Sequence, residues 1–177
     1  MARLLCIGEC MLELAPADAG DMYRAGFAGD SFNTAWYAKR LAGPETEVAY
    51  FTAVGQDATS RRLELFTRAA GIVPEFLRRA DRGLGLYMIH LAAGERSFCY
   101  WRDTSAARTL ADELETLPGI GADDLVFFSG ITLAILSEAG RARFLAALDR
   151  ARAAGARVAF DPNIRPRLWP DEASMCA

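Results

Sequence analysis

Short, continuously apolar runs alternate along this chain with stretches in which apolar residues recur every three or four positions. Arg3-Leu-Leu-Cys-Ile-Gly8, Glu47–Val54, Asp124–Ser129 and Arg157–Asp161 are runs of the first kind. They predict strands buried on both faces, the first stopped by Gly8 and the second by Gly55. From Ser31 the period changes. Phe32, Ala35, Trp36 and Leu41 fit a helix that Gly43-Pro44 ends, with Asp30 or Ser31 as its N-cap. Leu63, Phe66 and Ala70 share one face of a helix over about Thr59 to Ala70, with Gly71 as its stop. A short helix is expected near Leu110–Leu117 and a long one from about Ser137 to Ala154. Apolar strands alternating with helices imply a parallel α/β core.

Two segments break this rhythm. Met11–Leu14 and Met22–Phe27 are extended pieces around a turn at Pro16–Gly20. Gly83 to Trp101 holds two more, joined by a hairpin connection at Ala93-Gly-Glu-Arg96 in which Gly94 supplies the permissive backbone. Extended excursions of this kind predict a small separate sheet. The expected division is a core of residues 1–10, 29–82 and 105–177, with an outgrowth of residues 11–28 and 83–104.

Composition narrows the function classes. Hydrophobic residues make up 52% of the 177 positions, which excludes a disordered chain. Twenty Lys and Arg against 23 Asp and Glu give a net charge of −3, without the basic stripe of a nucleic-acid binder. No apolar run nears the ~18 residues of a membrane span, and the N-terminus lacks a signal-peptide layout. A soluble cytoplasmic protein, with neither nucleic-acid nor membrane partners, is therefore expected. Cys6, Cys10, Cys99 and Cys176 form no Cys-x-x-Cys pair, and His90 has no second imidazole. These residues are expected to pack rather than bind metal or form disulfides.

Three constellations have chemical content. Ala28-Gly-Asp-Ser-Phe-Asn33 opens a helix, and Asp30 and Asn33 offer acceptors and donors suited to sugar hydroxyls beside a glycine that admits a ligand. Helix capping accounts for the same residues. Tyr100-Trp-Arg102 places a phenol and a guanidinium on one side of a strand, which suits a carboxylate or polyol and equally a surface arginine beside a sheet aromatic. Phe160-Asp-Pro-Asn-Ile-Arg-Pro-Arg-Leu-Trp169 is a proline-stiffened loop at the carboxyl end of a strand, where open α/β sheets bind ligands. The P-loop, the dinucleotide-binding glycine fingerprint and the serine nucleophile elbow are absent from the sequence, which argues against a dinucleotide-dependent oxidoreductase.

In this order the segments resemble the ribokinase-like (PfkB-type) sugar kinases, and within them the 2-keto-3-deoxygluconate kinases. The resemblance spans the chain: Cys6-Ile-Gly-Glu9, Gly29-Asp-Ser-Phe-Asn-Thr-Ala35, Thr52-Ala-Val-Gly-Gln-Asp57, Gly85-Leu-Tyr87, Tyr100–Ala107, Phe128-Ser-Gly-Ile131 and Phe160–Trp169. It implies a ribokinase-like core, mostly parallel sheet flanked by helices, with the excursions forming a β-sheet lid that often makes dimer contacts; a homodimer through the lid is therefore expected. By the same resemblance Gly29, Asp30 and Asn33 match the sugar-hydroxyl site. Tyr87, Tyr100, Arg102, Ile131 and Arg165 match positions lining the acid-sugar pocket. A sugar acid needs its carboxylate paired when it leaves water, and arginine pairs carboxylates bidentately. Two arginines in loops facing one cleft thus favour an acid sugar over ribose or fructose.

The sequence departs from the family pattern in having Ala28 where the family has a first glycine, and Glu13 where some relatives have a sugar-binding aspartate. The family's Gly-Ala-Gly-Asp motif, whose aspartate takes the proton and whose helix start forms an anion hole, lies beyond Ala177. So does most of the ATP pocket. The resemblance therefore implies ATP and Mg2+ as cofactors of the complete enzyme, which transfers a phosphoryl group to the 6-hydroxyl of 2-keto-3-deoxygluconate. It also implies no catalytic base and no metal ligand in these residues, which are expected to be inactive alone. The alternatives are a non-catalytic sugar-acid binding or dimerising protein, and a kinase of a neutral sugar.

Overall fold

Successive side chains of one apolar run serve two cores. In the first strand Leu5 and Ile7 pack into one buried cluster and Cys6 into another, because alternate residues of a strand face opposite sides. The computed structural model describes residues 3–17, 22–92 and 95–176. Its strands are β1 (Arg3–Ile7), β2 (Met11–Pro16), β3 (Tyr23–Ala28), β4 (Glu47–Val54), β5 (Val73–Arg78), β6 (Leu86–Ala92), β7 (Glu95–Trp101), β8 (Leu125–Ser129) and β9 (Arg157–Asp161). Its helices are α1 (Asp30–Leu41), α2 (Ala58–Ala69), α3 (Gly130–Ile135), α4 (Glu138–Ala153) and α5 (Glu172–Cys176).

Sheet A has the order β5-β4-β1-β8-β9, with every pairing parallel. Leu5 lies opposite Ala49 on one side and Val126 on the other. On one face, Leu5, Ile7, Phe51, Val126 and Phe128 pack against Leu110 and against Phe144 and Leu148 of α4. The Phe128 and Phe144 rings meet edge-on, 5.1 Å between centroids. On the other face, Cys6, Val48 and Tyr50 pack against Phe32 and Ala35 of α1 and Leu63 of α2. The predicted α/β layering is thus present, helices covering both faces.

Sheet B has the order β3-β2-β6-β7. Its outer pairs are antiparallel and its central β2–β6 pair is parallel. The two extended excursions pair with each other, as expected. Of the predicted turns, Ala93-Gly94 and most of Pro16–Gly20 lie outside the described residues. The chain enters sheet B directly from β1 through Gly8, Glu9 and Cys10, and leaves it at Arg102. Along sheet A the chain moves outward from β1 to β4 and β5 on one side, then from β8 to β9 on the other. The order therefore reverses between β1 and β8, where open α/β sheets leave a crevice at their carboxyl ends.

Two local expectations change, and two elements were not anticipated. Gly29, in extended conformation, is the N-cap of α1, and Asp30 is its first helical residue with no side-chain bond to its own helix. The Leu110–Leu117 segment is not a helix: a 3-10 turn at Ala106–Thr109 runs on into turns closed by bonds between residues three apart, such as Leu114 N–H to the Ala111 carbonyl. Strand β5 and helix α3 carry no signal in the apolar pattern. No helix of the described residues is long and apolar enough to cross a membrane.

The cap of α2 is an acid-sensitive point. Asp57 accepts bonds from the Thr59 and Ser60 N–H groups at 2.8 and 3.0 Å and from Ser60 Oγ at 2.7 Å. Partial burial pushes the carboxyl up, but the Ser60 and Thr59 bonds outweigh it, leaving Asp57 below the usual aspartate range. A depressed folded value adds stability at neutral pH that is lost as pH falls through that value. Asp57→Ala is expected to cost about 1 kcal/mol at neutral pH. In urea titrations the gap between parent and variant should narrow in acid; a constant gap would contradict the capping role.

Candidate functional site

Where sheet B overhangs the crevice of sheet A, a cleft of about 690 Å³ opens. All eight residues singled out in the sequence line it: Gly29, Asp30, Asn33, Tyr87, Tyr100, Arg102, Ile131 and Arg165. They come from the start of α1, from β6 and β7, from α3 after β8, and from the loop after β9.

The floor is built around Asp30. Its Oδ2 accepts from Ser129 Oγ at the end of β8 and from Asn163 Nδ2, 2.7 Å away, in the loop after β9. Among the described residues Oδ1 has no donor. The first turn of a helix favours a carboxylate, since its exposed N–H groups carry partial positive charge. Asn163 sits at φ 33°, a left-handed conformation that Asn tolerates, and its N–H bonds Asp161 Oδ1 at 3.0 Å. Close backbone approaches set two glycines here. A Cβ on Gly29 would lie 2.2 Å from the Glu9 carbonyl, and one on Gly130 would lie 2.0 Å from the Pro162 carbonyl.

The wall is aromatic. Tyr87 and Tyr100 are register partners in β6 and β7 with ring centroids 5.7 Å apart, and Phe98 lies 6.1 Å from both. Tyr87 donates its hydroxyl to Glu13. Burial and the Glu13 bond both push its phenol well up, so the group stays protonated as a donor. Ile131, Met11 and Leu168 add apolar surface.

The two arginines differ. Arg102 is largely buried, its guanidinium donating from Nε and Nη2 to Oε2 of Glu9. The Glu9 side chain is 1% exposed and that of Arg102 13%. Arg165 is exposed; its Nη1 bonds the Ile164 carbonyl, and among the described residues it has no acidic partner. Glu9, Asp103, Arg167 and Phe98 also line the cleft and were not singled out in the sequence. Glu9 stood inside the Cys6–Glu9 motif, but no spacing signals a partner 93 residues away. The cleft thus gathers three carboxylates (Glu9, Asp30, Asp103) and three guanidiniums (Arg102, Arg165, Arg167), a balanced set rather than a basic one.

Elsewhere the packing expected of the cysteines is seen for two of the four, Cys99 and Cys176 being exposed. Cys6 and Cys10 are buried free thiols. Burial pushes Cys6 up to about 12, and burial beside Glu9 raises Cys10 as well. Neither is a nucleophile at neutral pH.

Comparison with known proteins agrees with this architecture. The family model described as pfkB family carbohydrate kinase matches residues 1–177. The 2-dehydro-3-deoxygluconokinase of Dickeya dadantii (strain 3937) is 43% identical over 173 residues, covering 94% of this chain and 55% of the relative. That of Haemophilus influenzae is 35% identical over 184 residues, covering 99% and 58%. A fructokinase of Salmonella typhimurium is 30% identical over 178 residues, covering 99% and 55%. The chain spans little more than half the length of these curated relatives. Among solved structures, the apo fructokinase of Vibrio cholerae O395 superposes with a TM-score of 0.83 at 23% identity, covering 99% of this chain and 58% of that one. At that identity the likeness concerns the fold.

Proposed function

The chain belongs to the pfkB family of carbohydrate kinases, and from that premise we propose that the cleft holds the acceptor sugar of an ATP-dependent phosphoryl transfer. The proposed acceptor is 2-keto-3-deoxygluconate (2-dehydro-3-deoxygluconate), phosphorylated on its 6-hydroxyl. One observation carries this reading: Arg102 and Arg165, from the ends of β7 and β9, line one cleft with Asp30. The names of the relatives support it.

In this reading the open Oδ1 of Asp30 and the Asn33 amide take sugar hydroxyls, the tyrosines pack against the carbon chain, and the guanidiniums take the carboxylate. Sheet B serves as the lid. In the transfer, the acceptor oxygen bonds to the γ-phosphorus as the bond to ADP breaks and the hydroxyl proton departs. Little covalent chemistry falls to the protein, so positioning supplies much of the rate. In this proposal the 177 residues supply the sugar half of the arrangement, and no turnover is proposed for them alone. No three His, Cys, Asp or Glu side chains among the described residues converge to hold a metal ion. Magnesium in such transfers is held by one or two carboxylates together with the nucleotide phosphates and water, and no step here is routed through it. A homodimer through sheet B is also proposed, supported by the exposed edge strand β7, whose Trp101 lies on the side away from the cleft.

A neutral hexose is the second reading, favoured by the fructokinase relatives and by the pairing of Arg102 with Glu9. Calorimetric titration of the chain with 2-keto-3-deoxygluconate, fructose and ribose separates the two. Acid-sugar binding should be tightest, and Arg165→Ala should weaken it about tenfold, the worth of one exposed charge-assisted bond, while leaving fructose unchanged. Tighter binding of fructose would defeat the acid-sugar assignment.

A further inference from the structure

Resting on the acid-sugar reading of the cleft, we propose that Glu9 is a positioning residue: it holds Arg102 by one edge of the guanidinium so that the other edge serves the substrate carboxylate. The guanidinium has five N–H donors in a fixed fork. Nε, 3.0 Å away, and Nη2 both donate to the same oxygen, Oε2 of Glu9. Nη2 also lies 3.6 Å from Met11 Sδ, and the group sits 5.4 Å from the Tyr100 ring centroid. Among the described residues Nη1 has no acceptor. The two N–H donors of Nη1 are left over for a carboxylate.

The fold makes room for this acid at two glycines. Gly29 admits the Glu9 backbone, and a Cβ on Gly85, at the mouth of β6, would lie 2.8 Å from Glu9 Oε1. Glu9 stands where the chain leaves β1 for sheet B, and Arg102 where it returns, so the pair spans the base of that sheet beneath Gly85. Stability alone does not explain it. A buried ion pair gains little net free energy after desolvation, and Oε1 of Glu9 is buried with no hydrogen-bond partner among the described residues.

A consequence follows for recognition. Glu9 offsets the charge of Arg102 before any ligand arrives, so Arg102 contributes direction and the exposed Arg165 contributes net attraction. Loss of Glu9 frees the guanidinium to reorient. Acid-sugar binding then weakens, while a neutral sugar, which does not use Nη1, is spared.

The test is calorimetric binding of 2-keto-3-deoxygluconate and fructose to the parent chain, Glu9→Gln, Glu9→Ala, Arg102→Gln, and Glu9→Ala combined with Arg102→Gln. The proposal expects Glu9→Ala to weaken the acid sugar about tenfold and fructose less than twofold. Glu9→Gln, which keeps an acceptor of the same size, should recover most of the loss. In the Arg102→Gln background Glu9→Ala should have no further effect, because coupled residues are non-additive. Equal losses for both sugars, or additive losses, would overturn it. Failure of the parent chain to bind the acid sugar would defeat the substrate reading instead. Glu9 is then judged by NMR of the Arg102 Nε–H: slow exchange that Glu9→Ala abolishes keeps the positioning role, and fast exchange in the parent removes it.

Discussion

Asp30→Ala is expected to weaken binding of the acid sugar by about two orders of magnitude, close to 3 kcal/mol. Two contributions add. A charged acceptor facing a sugar hydroxyl is worth about 1.5–3 kcal/mol, and that acceptor is lost with the carboxylate. The same carboxylate also ties three elements together, since Ser129 at the end of β8 and Asn163 beyond β9 both donate to Oδ2. Without it the loop bearing Arg165 loses its anchor to the start of α1, and a ligand that needs both sides of the cleft loses pre-organisation. Titration calorimetry reads the loss directly. Asp30→Asn keeps one oxygen for the two donors but turns an NH2 instead of a charged acceptor toward the sugar, so it should recover only the anchoring part of the loss. A loss below fivefold in Asp30→Ala would remove Asp30 from the sugar site.

The second large effect is expected from Gly130→Ala, at a residue that touches no proposed ligand. The new methyl would lie 2.0 Å from the Pro162 carbonyl, a backbone atom that cannot swing aside as a side-chain tip does. Relief requires the Asp161–Asn163 turn to retreat from α3 by about 1 Å, and a displacement of that size at a positioning loop costs up to about 100-fold. Overpacking of this kind also destabilises by about 1–3 kcal/mol. Chemical denaturation and sugar titration on the same variant should show both losses. Unchanged binding would mean that the Asn163–Arg165 segment is not set by its contact with Gly130.

Several elements were legible because their signals are local. Continuous apolar runs marked β1, β4, β8 and β9, and the glycine-closed periodic stretch marked α2. Where the pattern misled, tertiary burial competed with local period. Leu110, Leu114 and Leu117 recur at helical spacing, yet each is buried as a core contact of a chain that turns at Ala106–Thr109 rather than continuing as α-helix. Strand β5 was hidden because Pro74 and Glu75 interrupt its apolar residues, which an edge strand permits and a central one does not. Helix α3 spans six residues, too few for a periodicity to register.

The same division runs through the site. Stereochemistry along the chain, with strand alternation, helix period and the glycines of its turns, is enough to mark the layers and to offer Asp30, Asn33, Tyr100, Arg102 and the loop of Arg165 as candidates, while the family resemblance supplied Tyr87, Ile131 and the acid-sugar roles. Their working partners are a matter of topology. Glu9 meets Arg102 across 93 residues, Glu13 meets Tyr87 across 74, and Asp30 meets Asn163 across 133. No local period encodes such separations. They arise because the order β5-β4-β1-β8-β9 brings the ends of β1, β8 and β9 to one crevice and folds sheet B over it. The residue types of this chain therefore fix what chemistry is on offer, while the crossing of its strands decides which charges are spent on each other and which remain for a ligand.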